Sequence, residues 1–189
     1  LLVRTQSSTD LTQIIPSESV DYIFTDPPYG DSVPYLEYST LWSSWLETQI
    51  DYEQEIVISD SQERSNDGKN YRELLKQAFE ESFRVLKPNH WLSLTFNNRN
   101  METWDAIVST ASDAGFDIVN AIYQVPAVVP AKAQLSRTGS TVGDIIINMR
   151  KQSKTIKMRS SEELISSIVL KIASQIIGER GGKATTDEI

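Results

Sequence analysis

Apolar residues follow two patterns along the chain. Short runs such as 20–25 (VDYIFT) are β-rich and mostly apolar, which is typical of a strand buried in a parallel sheet. Longer stretches such as 70–86 repeat apolar residues every three to four positions, which predicts amphipathic helices. The predicted elements are strands over 1–3, 20–25, 91–96, 116–123 and 144–149, a helical turn over 10–15, and helices over 34–46, 70–86, 100–114 and 161–177.

Local signals predict where several helices begin and end. Pro88 is expected to stop the second long helix, with a strand following from residue 91. Asn100 is expected to cap the next helix, which ends before Gly115. Ser160 and Glu163 have the spacing of a capping box at the start of the last helix.

The order strand–helix–strand–helix–strand–strand implies an α/β fold with a largely parallel sheet. In such sheets the reactive site lies beyond the carboxyl ends of the strands. The loop 26–30 (DPPYG) follows one strand, and Asn97 and Asn98 follow another. We therefore expect these residues to share one edge of the sheet. The polar, acidic stretch 48–68 is expected to be a mobile surface loop.

Composition excludes several chemistries. The 189 residues include no cysteine, which rules out disulfides, thiolate zinc sites and a cysteine nucleophile, and points to a reducing, cytoplasmic setting. The single histidine, His90, cannot build a multi-histidine metal site and is interpreted as a solvated turn residue, so no metal is expected. No apolar run is long enough to span a bilayer, so no membrane partner is expected.

Charge is unevenly distributed along this chain of net charge −8. Residues 1–70 hold 3 basic and 13 acidic side chains, residues 71–149 hold 7 and 8, and residues 150–189 hold 8 and 5. Any contact with nucleic-acid phosphates must therefore come from local patches or from other parts of the protein. One basic run is interpreted as a solvated linker in preference to a phosphate contact: Arg150, Lys151, Lys154, Lys157 and Arg159.

The segment 21–29 (DYIFTDPPY) resembles the catalytic motif of the amino-methyltransferases, especially the DNA adenine-N6 and cytosine-N4 methyltransferases. The aromatic helix PYLEYSTLWSSWL after it strengthens the resemblance. The run LKPNHWLSLTFNNRNMETWDAIVSTASDAGF is similar to the family's strand–helix–strand continuation, with Asn89 and His90 where the family has two glycines. The final GDIIINMRK resembles its closing hairpin strand.

The resemblance covers residues 1–150, which would be the catalytic half of a methyltransferase domain. Residues 151–189 are left as a basic linker and an amphipathic C-terminal helix. The resemblance implies a Rossmann-like methyltransferase sheet, mostly parallel with a C-terminal antiparallel strand, that is incomplete in this chain.

The motif's residue types suit methylation of an exocyclic amino group, whose lone pair is delocalised into the base ring. The resemblance implies that the Asp26 side chain and the Pro27 carbonyl accept the two amino hydrogens and point the lone pair outward. Pro27 and Pro28 keep the loop rigid, and Tyr29 offers a ring on which a flipped-out base stacks. Asp26, where cytosine-N4 enzymes more often have serine, favours adenine N6. The lack of a cysteine nucleophile excludes cytosine-C5 methylation.

Three further residues are candidates for substrate binding. Tyr35 lies close to the motif along the chain and is expected to line the base pocket, and Asn97 and Asn98 end a strand on the reactive edge. The helix-spaced aromatic residues that follow are interpreted as core: Tyr38, Trp42 and Trp45.

The resemblance implies S-adenosylmethionine as the methyl donor, with Ser7, Ser8, Thr25 and Asp26 as the expected cofactor-binding residues. The family's glycine-containing FxGxG cofactor loop is not found in this sequence. A missing part of the same polypeptide, or a partner subunit, is therefore expected to supply that loop and target recognition. The isolated chain is expected to be inactive.

The expected macromolecular partner is DNA with a flipped target base, as in site-specific methylation within a restriction–modification system. Two alternatives stay open, namely an RNA guanine-N2 methyltransferase, whose members also carry DPPYG, and a non-catalytic methyltransferase-like DNA-binding subunit. Methylation of a protein glutamine is less consistent with the sequence, because its motif usually begins with asparagine.

Overall fold

The computed structural model describes residues 6–31, 33, 35–48, 51–59, 67–98, 100–124, 143–152 and 161–179. The strands are β1 (Val20–Thr25), β2 (Leu86–Phe96), β3 (Phe116–Gln124) and β4 (Asp144–Lys151). The helices are α1 (Tyr35–Trp45), α2 (Gly68–Val85), α3 (Met101–Asp113) and α4 (Ser161–Glu179), with a 3₁₀ helix at Tyr52–Gln54. The predicted strand over 1–3 and the capping residue Ser160 lie outside the described residues. No helix in these ranges is both long and apolar enough to cross a membrane.

The described strands form an open mixed sheet in the order β1-β2-β4-β3. β1 pairs parallel with β2, and β4 lies between β2 and β3 and is antiparallel to both. β1, β2 and β3 therefore point the same way, so their carboxyl ends meet at one edge. The predicted α/β class with an antiparallel C-terminal strand is confirmed.

One face of the sheet carries the hydrophobic core. Leu92, Leu94 and Phe96 of β2 and their β4 partners Met149 and Ile147 are completely buried. Apolar side chains of α2, α3 and α4 complete the cluster: Tyr71, Leu75, Phe79, Trp104, Ile107, Val108, Leu164 and Ile168. The 3–4-residue spacing that predicted α2 thus identified the face that packs on the sheet.

The carboxyl end of α2 is fully capped. The last four carbonyls of a helix have no intrahelical donor, and here each of the four accepts a hydrogen bond from elsewhere. The Ser82 carbonyl accepts from the Leu86 N–H, and the Arg84 and Val85 carbonyls accept from the backbone of 18–19. The Phe83 carbonyl accepts from Lys151 Nζ at 2.7 Å. Because Lys151 is only 7% exposed, it is neither the solvated linker residue nor the phosphate contact that the sequence suggested.

The boundary between α2 and β2 differs from the prediction. The helix ends at Val85 and the strand begins at Leu86, so Pro88 lies inside the strand and does not end the helix. The register of β1 against β2 shifts between Val20 and Tyr22, opposite the segment 87–90. Asn89 has φ +64° there, a bulge-like conformation that a periodicity argument does not detect.

The β1 side chains on the opposite face of the sheet and helix α1 are exposed, against the prediction that β1 is buried and that the aromatic helix belongs to the core. Tyr22 is 53% exposed and Phe24 61%. Tyr38, Trp42 and Trp45 are also exposed, at 71%, 59% and 71%. Their apolar character is real, but no element in the described ranges packs over them. Burial depends on a partner surface, which spacing alone does not supply.

The stretch 48–68 is not simply the mobile surface loop that its polarity suggested. Val57 is 2% exposed, and Ile56 and Ile58 pack against the core. The Ile58 N–H donates to the Gly30 carbonyl at 3.2 Å. This part of the stretch therefore supports the loop that follows β1.

Candidate active site

The loop 26–30 and the pair Asn97–Asn98 meet at the carboxyl edge of the sheet, as the order of elements predicted. β1 and β2 are neighbouring parallel strands, so the segments that follow them leave the sheet side by side. Asn98 Nδ2 donates to the Tyr29 carbonyl at 2.9 Å, and Asn98 Oδ1 accepts from the Asn100 N–H at 2.8 Å. The structure thus uses the Asn98 amide to hold the loop. Its predicted contact with substrate stays a prediction.

The Asn97 side chain contacts the start of β4 instead of the loop 26–30. Its Nδ2 donates to the carbonyl of Gly143, the residue before β4, at 3.0 Å. A methyl group at Gly143 would lie 2.1 Å from the Gln124 carbonyl oxygen, so only glycine permits this approach of β3 and β4. The amide of Asn97 thus has a structural partner, and its role in substrate binding also stays a prediction.

Tyr29 is held between the core and the acidic side of the site. Its ring meets Phe96 edge-on at 5.2 Å between centroids, and Phe96 meets Trp104 in the same way at 4.8 Å. Burial raises the pKa of the Tyr29 phenol well above its ordinary value. The carboxylates of Asp26 and Asp144 raise that pKa further. Tyr29 is therefore a neutral phenol at physiological pH.

Asp26 and Pro27 each present a hydrogen-bond acceptor at this edge of the sheet. The Asp26 side chain is exposed, and none of the lysines and arginines described forms an ion pair with it. Pro27 is buried, and no residue in the described ranges donates a hydrogen bond to its carbonyl oxygen.

Tyr35 lies beside this loop, and its predicted place in a base pocket stays a prediction. Burial raises the pKa of its phenol, the Tyr29 N–H opposes the increase, and the Asp26 carboxylate adds to it. The last two effects require proximity, so Tyr35, Tyr29 and Asp26 form one cluster. Tyr35 is 39% exposed, which leaves part of its ring accessible to a substrate.

The predicted cofactor residues fall into two groups that the structure keeps apart. Thr25 and Asp26 lie at the carboxyl end of β1. Ser7 and Ser8 are exposed and belong to a turn that precedes Leu11, whose N–H donates to Glu81 near the carboxyl end of α2. The loop, in contrast, contacts α2 through Tyr71, ten residues or about 15 Å away along the helix. The role of Ser7 and Ser8 therefore stays a prediction.

Tyr71 and Ile58 are site residues that sequence reasoning missed. The apolar spacing of the helix over 70–86 assigns Tyr71 only to its buried face, but the Tyr71 hydroxyl donates to the Pro28 carbonyl at 2.7 Å. A tyrosine on an apolar face carries a polar tip that needs a partner when buried, and this was the available signal. The Ile58 backbone contact had no such signal, because it joins segments distant in sequence.

No family model matches this chain, and no curated protein matches it. Solved structures do resemble it. A proposed DNA modification methylase from Thermus thermophilus, complexed with S-adenosyl-L-methionine, shares 17% identity over 80% of this chain and 55% of its own, at a TM-score of 0.44. PvuII DNA methyltransferase, specific for cytosine N4, shares 12% identity over 78% and 48%, at 0.48.

A SAM-dependent methyltransferase from Methanosarcina mazei shares 14% identity over 80% of this chain and 67% of its own, at a TM-score of 0.41. The chain spans about half the length of the Thermus structures it resembles, covering 53% to 55% of them.

Proposed function

We propose that this chain carries the base-binding half of the active site of an S-adenosylmethionine-dependent DNA methyltransferase that acts on an exocyclic amino group, with adenine N6 as the target. The observation that supports it most is the pair of acceptors in one rigid loop, the exposed carboxylate of Asp26 and the Pro27 carbonyl without a donor in the described ranges. An amino group offers two hydrogens, and this loop offers two acceptors.

Electrostatics favours the same chemistry. As the amino nitrogen attacks a methyl group, positive charge develops on it, and fixed negative groups stabilise that charge without rearrangement. Asp26 and Asp144 both lie close enough to Tyr29 to raise its pKa, so the site has a negative potential. A negative site also suits a cationic methyl donor and does not suit a phosphate.

The protein's own residues account for binding and orientation of the base. Tyr29 presents an aromatic ring for stacking, which is worth about 1–3 kcal/mol per base. Its pKa is raised, so the ring carries no charge that would repel the substrate. Tyr35, beside it, supplies a second partly accessible ring. Asp26 accepts one amino hydrogen, and the Pro27 carbonyl accepts the other.

S-adenosylmethionine supplies the methyl group when it is bound. Thr25 and Asp26 are the described residues that we expect to contact it, because they end β1 at the reactive edge. Ser7 and Ser8 are assigned to its adenine end from the resemblance alone. We propose that another part of the polypeptide, or a partner subunit, supplies the glycine-rich cofactor loop and target recognition.

The test is methyl transfer by the complete protein. Radiolabelled S-adenosylmethionine is incubated with DNA or with tRNA, and the products are digested to nucleosides and separated by mass. We expect N6-methyladenine from DNA, and loss of transfer in Asp26→Ala. Asp31→Ala, which removes another exposed carboxylate next to the same loop, is the matched control and should keep its activity.

Other outcomes separate the alternatives. Unchanged transfer by Asp26→Ala would refute the assignment of the site. N4-methylcytosine would correct the base, and methylation of tRNA guanine in place of DNA would favour the RNA enzyme. DNA binding with no transfer to either acceptor would favour the non-catalytic subunit.

A further inference from the structure

The shape of the loop 26–30 depends on few backbone rotations, because it contains two prolines. Their rings lock φ of Pro27 and Pro28 near −65°. Each proline also restricts ψ of the residue before it, so ψ of Asp26 and of Pro27 is limited to extended values. The first rotation that the rings leave free is ψ of Pro28. That rotation turns the Pro28 carbonyl and determines how Tyr29 continues.

Tyr71 holds the group that this free rotation would move. Its hydroxyl donates to the Pro28 carbonyl at 2.7 Å, across 43 positions of sequence. The donor is itself well fixed, since Tyr71 is 1% exposed and its ring belongs to the core cluster on α2. The Gly30 N–H faces the same phenol oxygen, so the hydroxyl contacts the loop on both sides of Tyr29.

The next two carbonyls of the loop are held as well. The Tyr29 carbonyl accepts from Asn98 at 2.9 Å, and the Gly30 carbonyl accepts from the Ile58 N–H at 3.2 Å. Three successive carbonyls therefore have donors from three different elements of the fold. The preceding carbonyl, that of Pro27, has no donor in the described ranges. The contacts thus fix the loop and leave one acceptor for a ligand.

We propose that Tyr71 is a positioning residue for the active site, whose hydroxyl fixes the Pro28 carbonyl and thereby holds the Tyr29 ring in position against the Asp26 and Pro27 acceptors. This proposal rests on the proposed function and extends it to a helix outside the motif. Tyr71 touches neither base nor methyl donor in this role. It acts through the loop.

Tyr71→Phe separates the hydroxyl from the ring. The ring continues to fill its place in the core, while the Pro28 carbonyl loses its donor. Loss of one neutral hydrogen bond corresponds to about a 2- to 12-fold change in a rate. We expect kcat to fall by about that factor, because Tyr29 no longer holds the base in line with the Asp26 and Pro27 acceptors.

Phe79→Leu is the matched control. Phe79 lies two turns further along α2, is 4% exposed, and meets Phe116 at 6.4 Å, away from the loop. This variant weakens the core without changing a donor to the loop. At a temperature where each protein is folded, we expect its kcat to equal that of wild type.

Hydrogen–deuterium exchange of the complete protein supplies a readout that does not depend on activity. The amides of Tyr29, Gly30 and Asp31 exchange through local opening of the loop. We expect them to exchange several-fold faster in Tyr71→Phe than in wild type, and no faster in Phe79→Leu. The two readouts together test the position of the loop and its consequence for the reaction.

Each outcome decides a different statement. If kcat of Tyr71→Phe equals that of wild type, or if kcat falls equally in Tyr71→Phe and Phe79→Leu, the positioning role is overturned. Methyl transfer by the wild type would still support the proposed function in that case. Unchanged exchange of the Tyr29, Gly30 and Asp31 amides in Tyr71→Phe overturns the positioning role whatever the activity. A wild type that transfers no methyl group to nucleic acid overturns the proposed function, and with it the assignment of Tyr71 to that reaction.

Discussion

Lys151, the last residue of β4, tests how the carboxyl end of α2 is stabilised. Its Nζ donates to the Phe83 carbonyl at 2.7 Å and to the Leu86 carbonyl at 2.8 Å, and lies 3.4 Å from the Glu18 carboxylate. It also lies 4.7 Å from the centre of the Phe83 ring. Substitution Lys151→Met keeps most of the apolar stem and removes every one of these polar contacts.

The magnitude follows from the groups left behind. A buried carbonyl that loses its donor costs about 1–3 kcal/mol, and Lys151→Met leaves two of them. The Phe83 carbonyl is only partly buried, so water replaces part of its loss. Glu18 is 55% exposed and its ion pair contributes little. We expect the free energy of unfolding to fall by about 2–4 kcal/mol.

Urea unfolding of the complete protein, followed by far-UV circular dichroism, measures this change. Lys171→Met is the control, because Lys171 also donates to a carbonyl, that of Val119 at 2.6 Å, but on the surface. It should cost less than about 1 kcal/mol. A value for Lys151→Met within about 0.5 kcal/mol of wild type would refute the reasoning.

The same variant separates a structural lysine from a phosphate contact. Each lost phosphate contact lowers the slope of log K against log salt by about 0.9 for duplex DNA. Because Lys151 is buried, we expect the salt dependence of DNA binding to be the same in Lys151→Met and in wild type. A smaller slope in the variant would show that Lys151 reaches the phosphates.

Three further predictions concern the supports of the site and the fold. Asn98→Ala removes the donor to the Tyr29 carbonyl and the acceptor for the Asn100 N–H, so it should lower kcat. In a double-mutant cycle with Tyr71→Phe, the combined decrease in kcat, expressed as free energy, should differ from the sum of the two single decreases. Gly143→Ala should lower the urea midpoint, because its new Cβ would lie 2.1 Å from the Gln124 carbonyl oxygen. At Gly68 a Cβ would meet nothing within 4 Å, so Gly68→Ala should leave the midpoint unchanged or raise it. The hydrogen bond from Arg84 holds the pKa of Glu81 below its ordinary value; burial opposes this decrease, and the Leu11 N–H adds to it. The difference in stability between wild type and Glu81→Gln should therefore be largest above pH ~4.3 and should disappear as the pH falls below that value. Denaturation series at several pH values measure this difference. A difference that stays constant with pH would contradict the role of Glu81.

Signals within a few residues were enough to predict most elements of the fold. Asn100 caps α3 through its side chain, as its position before an apolar run predicted. Gly115 follows α3 with φ +104°, a conformation that glycine adopts without strain. The apolar spacing of α2 identified the side that packs on the sheet. These features depend on local backbone geometry, which a short stretch of sequence encodes.

The candidate site was predictable where the chain order alone brings residues together. Asp26 and Asn98 follow neighbouring parallel strands, and the carboxyl ends of such strands lie at the same edge. Tyr71 was not predictable as a support of the loop, because its hydroxyl reaches Pro28 only once α2 has packed on the sheet. The same holds for Ile58 and Gly30.

The sequence by itself therefore determined most of the elements, their order, and the residue types of the loop after β1. The tertiary structure decided which side chains are covered and which groups hold the loop. Trp42 and Trp45 have the apolar character of core residues and yet are exposed, while the charged Lys151 is buried. The physical reason is that burial and hydrogen bonding require a partner surface. That surface comes from elements far away in sequence, so the residue type and its near neighbours do not specify it.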